Sequence, residues 1–385
     1  MRVKAVDVLR GITVFLMLLV EFIPDSETAP KQLVHSEFNG LTLADWVFPT
    51  FLFLMGASIY FSLSKNGFKP TKAAVIHILR RSVILILIDY AISYLGVTLS
   101  YYNNLKESDT NTRIFEAFFT HFDEVRYSGA LTRIAITYLV VSLLVLQLNH
   151  KFLPYICATI LAVYYFILEL FNGFAPDSPA LVFADNLILG PTHIYTDDWS
   201  NFDPEGVLST PAAVVTVILG FMVGRALMNT NLEKLYDKLI AASVVLFTVG
   251  FFWSYICPIN KKIWSPTFVL ITAALDILLV AVIHYIVDYK KHTKLVPLAQ
   301  VFGANALISY IGCEVINAVT NNIDTESSTS WTGYNSLFHQ IYQDRFLPLS
   351  FMPADYASLL YALLWTLIIY ALAALLYWRK IFVKI

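Results

Sequence analysis

Apolar runs of about 20 residues recur along the whole chain, and they restrict its fold more than any other feature. A helix of about 20 residues is long enough to cross the hydrocarbon core of a bilayer, which is about 30 Å thick. The chain is 57% hydrophobic and 14% charged, whereas soluble domains average about 45–50% and about 25%. Because a backbone in lipid must satisfy its own hydrogen bonds, each run is predicted to be a helix. The sequence therefore predicts an all-α, polytopic membrane protein.

Ten runs of this kind can be counted, and we predict about ten transmembrane helices in a single domain that covers residues 1–385. Their approximate limits are 7–24, 42–64, 74–99, 130–148, 152–171, 210–228, 237–257, 266–287, 297–318 and 357–378. The first run has the length of a signal peptide, but no convincing small-residue cleavage site follows it. Asp7 and Arg10 near its start also favour a retained helix.

The distribution of lysine and arginine predicts the orientation of these helices. Basic residues gather before the first run, between the second and third, and again after the last. Because basic connections tend to stay in the cytoplasm, both termini are predicted to be cytoplasmic. The long connections then face the outer side, where we expect the function to be carried out.

One of these outer connections, residues 172–209, is acidic and has no lysine or arginine. Its acidic residues include Asp197 and Asp198. Such a loop suits a cationic or polyhydroxylated ligand, but acidic loops also translocate easily, and the sequence leaves both explanations open.

Several classes of function lack support in the sequence. Cys157, Cys257 and Cys313 lie in or beside apolar runs and are interpreted as packing residues rather than as a disulfide framework or metal motif. No glycine-rich phosphate loop stands out, and neither a metal nor a nucleic-acid partner is expected. The oligomeric state is left open, a homodimer being one alternative.

Polar side chains inside or beside the apolar runs are candidate functional groups, because an ionisable group in lipid is costly. Asp7 and Arg10 stand three residues apart, so they share a helix face and are predicted to pair. Asp89 and Asp276 are either helix-packing or proton-relay groups. The other candidates are Glu21, His35, Asn39, Asp45, Arg133, Asp203, Glu205, Asn260, Lys261, Trp264, His284, Asn305 and Glu314.

The segment from His35 to Gly56 is the strongest candidate for an active site. It puts a histidine and several polar groups, among them Asn39 and Asp45, at the mouth of the second predicted helix. Imidazole is the side chain most often used to move protons or to attack as a nucleophile near neutral pH.

Seven separated motifs occur in order over nearly the whole chain, in the segments 7–11, 35–56, 129–135, 193–195, 203–210, 258–265 and 302–307. In this order and placement the chain resembles the heparan-α-glucosaminide N-acetyltransferase family, including bacterial relatives that are sometimes described as amino-sugar transport proteins. The resemblance implies transfer of acetyl from acetyl-CoA to the amine of a glucosamine unit, with His35 carrying or assisting the transfer.

The resemblance also implies a division of the reaction across a bacterial inner membrane. Acetyl-CoA is made in the cytosol and its charged phosphates keep it from crossing lipid, whereas the amino-sugar or glycan acceptor lies on the outer side. A polar path through the helical bundle is therefore expected. A further alternative for the function is an acyltransferase that acts on a different outer-surface glycan or on a lipid-linked sugar.

Two mechanisms are consistent with His35. The imidazole either attacks the thioester and forms an acetyl-imidazole, or removes a proton from the amine as the amine attacks directly. We favour the direct route, because an acetyl-imidazole hydrolyses readily at a site that faces the periplasm.

Glu21 departs from the pattern, since relatives commonly have asparagine near the outer end of the first span. An amide donates a hydrogen bond to a developing oxyanion, while an ionised carboxylate cannot. Glu21 is therefore expected to orient His35, to bind the acceptor ammonium or to act as the base, the alternative being an exposed glutamate at a helix end.

Other residues are assigned supporting roles. Asn39 and Asp45 are expected to fix the His35 loop and its tautomer. Arg133 is expected either to hold a phosphate or carbonyl of CoA or to be a paired structural arginine. Asp203 and Glu205 are assigned to acceptor recognition or to loop structure.

The remaining binding candidates are on the 258–265 motif and in the ninth run. Asn260, Lys261 and Trp264 are expected to offer hydrogen bonds and a ring face to a sugar, although interfacial aromatic residues also serve as anchors. Asn305 is a further candidate for binding acetyl-CoA or substrate. The competing function is transport of an amino sugar or its acetylated form, which polar residues in the spans would also explain.

Overall fold

The computed structural model describes residues 3–104, 110–195, 200–294, 296–322, 336–349 and 352–382. Asp197 and Asp198 of the acidic connection lie outside them. Within the described residues the protein has 14 α-helices. They are α1 Lys4–Glu21, α2 Leu43–Leu63, α3 Lys72–Asn104, α4 Thr110–Phe119, α5 Ala130–Gln147, α6 Leu153–Leu170, α7 Pro179–Ile188, α8 Thr210–Asn229, α9 Leu232–Trp253, α10 Pro266–His284, α11 Val296–Ala304, α12 Ala306–Asn321, α13 Leu337–Ile341 and α14 Ala354–Trp378.

Eight of these helices are long and apolar enough to cross a membrane, namely α2, α3, α5, α6, α8, α9, α10 and α14. The pair α11 and α12 passes the same test only when both are taken together, and the two are bent by 69° at the break between them. The predicted all-α membrane fold is confirmed. The count of ten spans is too high by this criterion, which gives eight, or nine with the bent pair, among the described residues.

The first predicted run corresponds to α1, whose 18 residues include Lys4, Asp7, Arg10 and Glu21. Four charges make α1 less apolar than the other long helices, yet its core face is buried against α2, α11 and α14. Arg10 Nη1 lies 3.6 Å from Asp7 Oδ1, which confirms the predicted pair. Arg10 Nη2 also donates to Ser58 Oγ of α2 at 2.5 Å, so this charged face is turned toward neighbouring protein.

The helices α2 and α8 pack closely against each other, and glycine makes this contact possible. A Cβ atom added to Gly220 would lie 1.8 Å from the carbonyl oxygen of Phe53, and one added to Gly56 would lie 2.0 Å from that of Val217. Small residues allow helix backbones to approach in this way, and they are typical of packed membrane helices. This contact fixes the helix that follows the His35 loop.

Buried carboxylates tie further helices together. Asp276 of α10 accepts hydrogen bonds on Oδ1 from Trp46 Nε1 at 2.9 Å and from Thr50 Oγ1 at 2.7 Å, both on α2. Asp89 of α3 accepts one from the Thr132 backbone N–H of α5 at 2.9 Å. Of the two roles predicted for Asp89 and Asp276, these contacts describe helix packing. All three cysteines are free and buried, as expected of packing residues.

Candidate active site

A capping box at the start of α2 positions the carboxylate nearest to His35. Thr42 Oγ1 accepts a hydrogen bond from the Asp45 backbone N–H at 3.3 Å, and Asp45 Oδ2 accepts one from the Thr42 backbone N–H at 3.1 Å. This reciprocal pair satisfies N–H groups that a helix start leaves without partners. It also turns the Asp45 side chain back over the loop that precedes α2.

The Asp45 carboxylate holds His35 by one oxygen and the rest of the loop by the other. His35 Nδ1 lies 2.9 Å from Asp45 Oδ1. Asp45 Oδ2 accepts from the backbone N–H and the hydroxyl of Ser36, at 3.1 and 2.8 Å. Asp45 is 1% exposed and His35 44% exposed. Because a carboxylate accepts, Nδ1 is assigned the proton and Nε2 keeps its lone pair, the tautomer that a general base or nucleophile needs.

Lys261 reaches the same imidazole from the connection between α9 and α10. Its Nζ lies 3.2 Å from Nδ1 and 3.3 Å from Nε2 of His35. Burial lowers the pKa of Lys261, and the charges of Asp45, Glu205 and Glu21 act in the opposite direction. The structure therefore brings together an imidazole, a buried carboxylate and an ammonium from segments that are 226 residues apart in sequence.

The loops that carry His35 and Lys261 are joined to each other. The Gly40 backbone N–H donates to the carbonyl oxygen of Ile259 at 2.8 Å, and Asn260 Nδ2 donates to Asn39 Oδ1 at 3.0 Å. Asn260 is fully buried, and its Oδ1 accepts from the Ile263 backbone N–H at 3.0 Å. Both ends of its amide thus have partners inside the protein, and the expected contact of Asn260 with a sugar stays a prediction.

A cavity of about 970 Å³ runs beside this cluster. We call the end of the bundle that holds Arg10, His77 and Phe382 the N-terminal end, because α1 and α3 begin there and α14 ends there. We call the opposite end, where α1 ends and α2 begins, the His35 end. The cavity is lined at the N-terminal end by Arg10, Asn66, His77 and Arg81, and at the His35 end by Glu21, Glu205, Lys261 and Tyr310. It thus connects the two ends of the bundle.

A partly buried ionic cluster lies beside the His35 end of this cavity. Arg126 Nε and Nη2 donate to the two carboxylate oxygens of Asp203 at 2.8 and 2.6 Å, and Nη2 also donates to Glu205 Oε2 at 2.6 Å. Asp203 accepts the backbone N–H of Tyr195 at 2.9 Å. Burial alone would raise the pKa of Glu205, but the Arg126 charge outweighs it and holds this pKa below its usual range. Of the two roles expected for Asp203, the contacts describe loop structure, while Glu205 also lines the cavity.

Asp185 completes the support of this turn from the short helix α7. Its carboxylate accepts the backbone N–H groups of Asp203 and Val207 at 3.1 and 2.9 Å. Burial raises the pKa of Asp185 to about 6. Neither Asp185 nor Arg126 was among the predicted site residues. The signal for Arg126 is its presence on a connection predicted to face the outer side, where basic residues are expected to be scarce.

Arg133 and Trp264 form a buried pair away from the cavity wall. Arg133 is 1% exposed, donates to the Gly206 carbonyl oxygen at 3.0 Å and to the Ser209 hydroxyl, and stands 5.1 Å above the Trp264 ring. Trp264 is fully buried and donates from Nε1 to Thr216 Oγ1 at 3.2 Å. The ring that was expected to face a sugar is thus enclosed by protein in this structure, and its role in sugar binding stays a prediction. Within the described residues Nε and Nη1 of Arg133 have no hydrogen-bond partner, and both roles expected for Arg133 stay predictions.

Asn305 lies at the break between α11 and α12 and is 2% exposed. Neither atom of its side-chain amide has a hydrogen-bond partner within the described part of the chain. Its neighbours Gly303, Ala304, Ala306 and Leu307 line the cavity. The break therefore borders the cavity, and a role of Asn305 in binding stays a prediction.

Comparison with known proteins gives one family. A sequence model described as heparan-alpha-glucosaminide N-acetyltransferase, catalytic, matches residues 2–235. A mouse protein named heparan-alpha-glucosaminide N-acetyltransferase is 26% identical in a match that covers 82% of this chain and 54% of that protein. The human protein of the same name is 28% identical, with 82% and 53% covered. The chain thus spans about half the length of the curated relatives it matches. The residues matched by the family model include His35 and Asp45 but end before Lys261.

Proposed function

The chain belongs to the heparan-alpha-glucosaminide N-acetyltransferase catalytic family, and from this membership we propose that it transfers acetyl from acetyl-CoA to the amine of a glucosaminide. The observation that carries the proposal is the cavity that joins the two ends of the bundle, with His35, Asp45 and Lys261 clustered at one of them. A path of this kind lets a donor from one side of a membrane meet an acceptor from the other.

The donor is proposed to enter at the N-terminal end. Arg10, His77 and Arg81 line the cavity there, and arginine is well suited to hold phosphate groups. These residues are given the phosphate-binding role that the sequence predicted for Arg133. Arg133 lies near the opposite end and is completely buried, which does not suit a phosphate site. Both termini would then be cytoplasmic, with the protein in the inner membrane of a bacterium and the acceptor on the outer side.

The chemistry assigned to His35 follows from its tautomer. In the direct route, Nε2 accepts a proton from the acceptor amine while the amine nitrogen attacks the thioester carbon. Asp45 keeps the imidazole in place through Nδ1, as an aspartate does in hydrolase triads. In the alternative route, Nε2 itself attacks and carries the acetyl group. Labelling of His35 after incubation with acetyl-CoA alone would identify the second route.

The deciding experiment is acetyl transfer by the purified protein in detergent. Radiolabelled acetyl-CoA is supplied with glucosamine and small glucosaminides, and the labelled N-acetyl product is counted. We expect product from the wild type and none above background from His35→Ala. Absence of product from the wild type with every acceptor would overturn the proposal.

Transport of an amino sugar is the second candidate, and the bent pair of α11 and α12 beside the cavity favours it. Broken helices at a central cavity are common in secondary transporters. Saturable sugar uptake into proteoliposomes without acetyl-CoA, from a protein that forms no acetylated product, would support this function instead.

A further inference from the structure

The side chain of Lys261 contacts both the imidazole of His35 and the cavity. Its side chain lines the cavity at the His35 end, and its Nζ is within 3.3 Å of both imidazole nitrogens. A substrate carbonyl that comes within reach of His35 Nε2 must therefore also approach this charge. That geometry differs from the role predicted from the sequence, in which Lys261 donated a hydrogen bond to a sugar.

The loop that carries Lys261 is held in one conformation by its own hydrogen bonds. The Trp264 backbone N–H donates to the carbonyl oxygen of Lys261, and that of Ser265 donates to the carbonyl oxygen of Asn260, both at 3.0 Å. The buried indole of Trp264 fixes the end of the turn. The start of the turn is fixed by the Asn39–Asn260 and Gly40–Ile259 bonds. A fixed backbone limits the positions that the Lys261 charge can take, which reduces the reorganisation needed when the reaction occurs.

The acetyl-transfer reaction requires such a charge. When a nucleophile adds to a thioester, the carbonyl oxygen becomes negative, and donors or cations aimed at that oxygen lower the barrier. Glu21, which lines the same end of the cavity, cannot supply a donor in its ionised form. Among the cavity-lining residues described at this end, Glu21 and Glu205 are carboxylates and Lys261 is the cation.

We propose that the Lys261 ammonium stabilises the oxyanion that forms when the thioester of acetyl-CoA is attacked beside His35, which makes Lys261 a catalytic residue. This inference rests on the proposed function. The amine nitrogen forms a bond to the carbonyl carbon, the π electrons move to oxygen, and His35 Nε2 takes the proton of the amine. The oxyanion then collapses, the carbon–sulfur bond breaks, and the thiolate of CoA takes that proton from His35. Lys261 keeps its proton throughout, and the same role holds if His35 is the first nucleophile.

The first test compares Lys261→Met with Lys262→Met, a matched change at the next position of the same loop. We expect kcat of Lys261→Met to fall about 10²- to 10³-fold, as on removal of an oxyanion donor, while KM for acetyl-CoA changes less than about threefold and Lys262→Met stays near the wild type. Binding of radiolabelled acetyl-CoA and the elution volume on gel filtration check that the variants are folded. An unchanged kcat overturns the proposal, and so does a raised KM with kcat retained, since that would indicate substrate binding only.

The second test uses Lys261→Arg and does not depend on the methionine variant. Deprotonation of Lys261 removes the charge, so wild-type kcat should fall at alkaline pH. The groups around its Nζ are His35 and Asp45, the cavity carboxylates Glu21 and Glu205, and Lys262. Because arginine stays charged up to a pH above about 12, the alkaline fall should be absent from Lys261→Arg. An identical alkaline fall in both proteins would overturn the proposal. Failure of the wild type to acetylate any acceptor would instead overturn the proposed function.

Discussion

The two oxygens of the Asp45 carboxylate have separate partners, and this division makes the tautomer of His35 testable. Oδ1 faces His35 Nδ1, while Oδ2 accepts from Ser36 and Thr42. In Asp45→Asn, the amide oxygen can take the place of Oδ2 and keep the loop bonds. The amide nitrogen then faces Nδ1 as a donor, which forces the proton of His35 onto Nε2.

We therefore predict that Asp45→Asn lowers kcat about 10²- to 10⁴-fold without unfolding the protein, as loss of the correct tautomer does in a serine protease. The measurement is the acetyl-transfer assay together with the thermal unfolding temperature in detergent. Glu37→Gln is the control, because Glu37 lies on the same loop and is exposed. Activity of Asp45→Asn within about threefold of the wild type would remove the tautomer from the mechanism.

Glu21 ends α1 and lines the cavity at the His35 end, where a carboxylate can bind the acceptor ammonium or accept its proton. We predict that Glu21→Gln, which keeps the shape and loses the charge, lowers kcat/KM for the acceptor at least about 10²-fold. The second reactant serves as an internal control, because KM for acetyl-CoA should not change. A well-folded Glu21→Gln protein with wild-type transfer would show that the glutamate is only a helix end.

The contact between Asp45 and His35 was predictable from the sequence, because Asp45 is only ten positions away, at the start of a recognisable helix. The approach of Lys261 was not, since it depends on how two loops 226 residues apart fold against each other. The burial of Trp264 was not predictable for a related reason. An aromatic residue on an outer connection is typical of an interfacial anchor or a sugar platform, whereas this turn folds inward and buries the ring.

At the scale of elements, the α2–α8 contact leads to a prediction about stability. Gly220→Ala would place a methyl group 1.8 Å from the Phe53 carbonyl oxygen, so the backbones must separate. We predict a loss of about 2 kcal/mol or more in the free energy of unfolding, in the upper part of the range for overpacked cores. Chemical unfolding of the purified protein in detergent measures this loss.

Gly96→Ala on α3 is the matched control for that substitution. Among the described residues, no heavy atom outside the adjoining backbone of α3 lies within 4 Å of the Cβ position at Gly96. Alanine is also the better helix former, so this variant should be as stable as the wild type or more stable by up to about 1 kcal/mol. If both alanine variants unfold alike, the close packing of α2 on α8 is not what stabilises the bundle.

The positions of the helices were largely predictable, because the length of an apolar run is set by the thickness of the bilayer. Two elements differ from the prediction for physical reasons. Four charges reduce the apolar character of α1, and protein neighbours rather than lipid cover its core face. The ninth run reads as continuous from 297 to 318, but it is broken at Asn305. No proline marks this break, and the preceding Gly303 is too common in membrane helices to indicate one.

For the whole molecule, the cavity gives the proposed reaction a direction. At its N-terminal end the cations Arg10 and Arg81 outnumber Asp7, and at its His35 end the carboxylates Glu21 and Glu205 outnumber Lys261. The charge at each end suits one reactant, since phosphates favour the first and an ammonium the second. Neither reactant has to cross the membrane completely, because the acetyl group alone passes from one to the other. A transporter, in contrast, must move a whole sugar through the same space.

This difference predicts a strict sidedness in sealed membrane vesicles. In inverted vesicles, external acetyl-CoA should acetylate a membrane-impermeant glucosaminide trapped inside. In right-side-out vesicles, external acetyl-CoA and external glucosaminide together should give less than about a tenth of that rate, because the donor cannot reach the N-terminal end. Detergent should restore equal rates to both preparations, and His35→Ala vesicles should be inactive throughout.

The position of the labelled product then separates the alternatives. Product that accumulates only on the acceptor side agrees with transfer through the cavity. Product that forms with both reactants on the cytoplasmic side would mean that the acceptor also enters by the N-terminal end, and the His35 end would not be the acceptor entrance. Because Glu21, Glu205 and Lys261 all line that end, such a result would also change the role of Glu21 from binding the acceptor ammonium to supporting the cluster around His35.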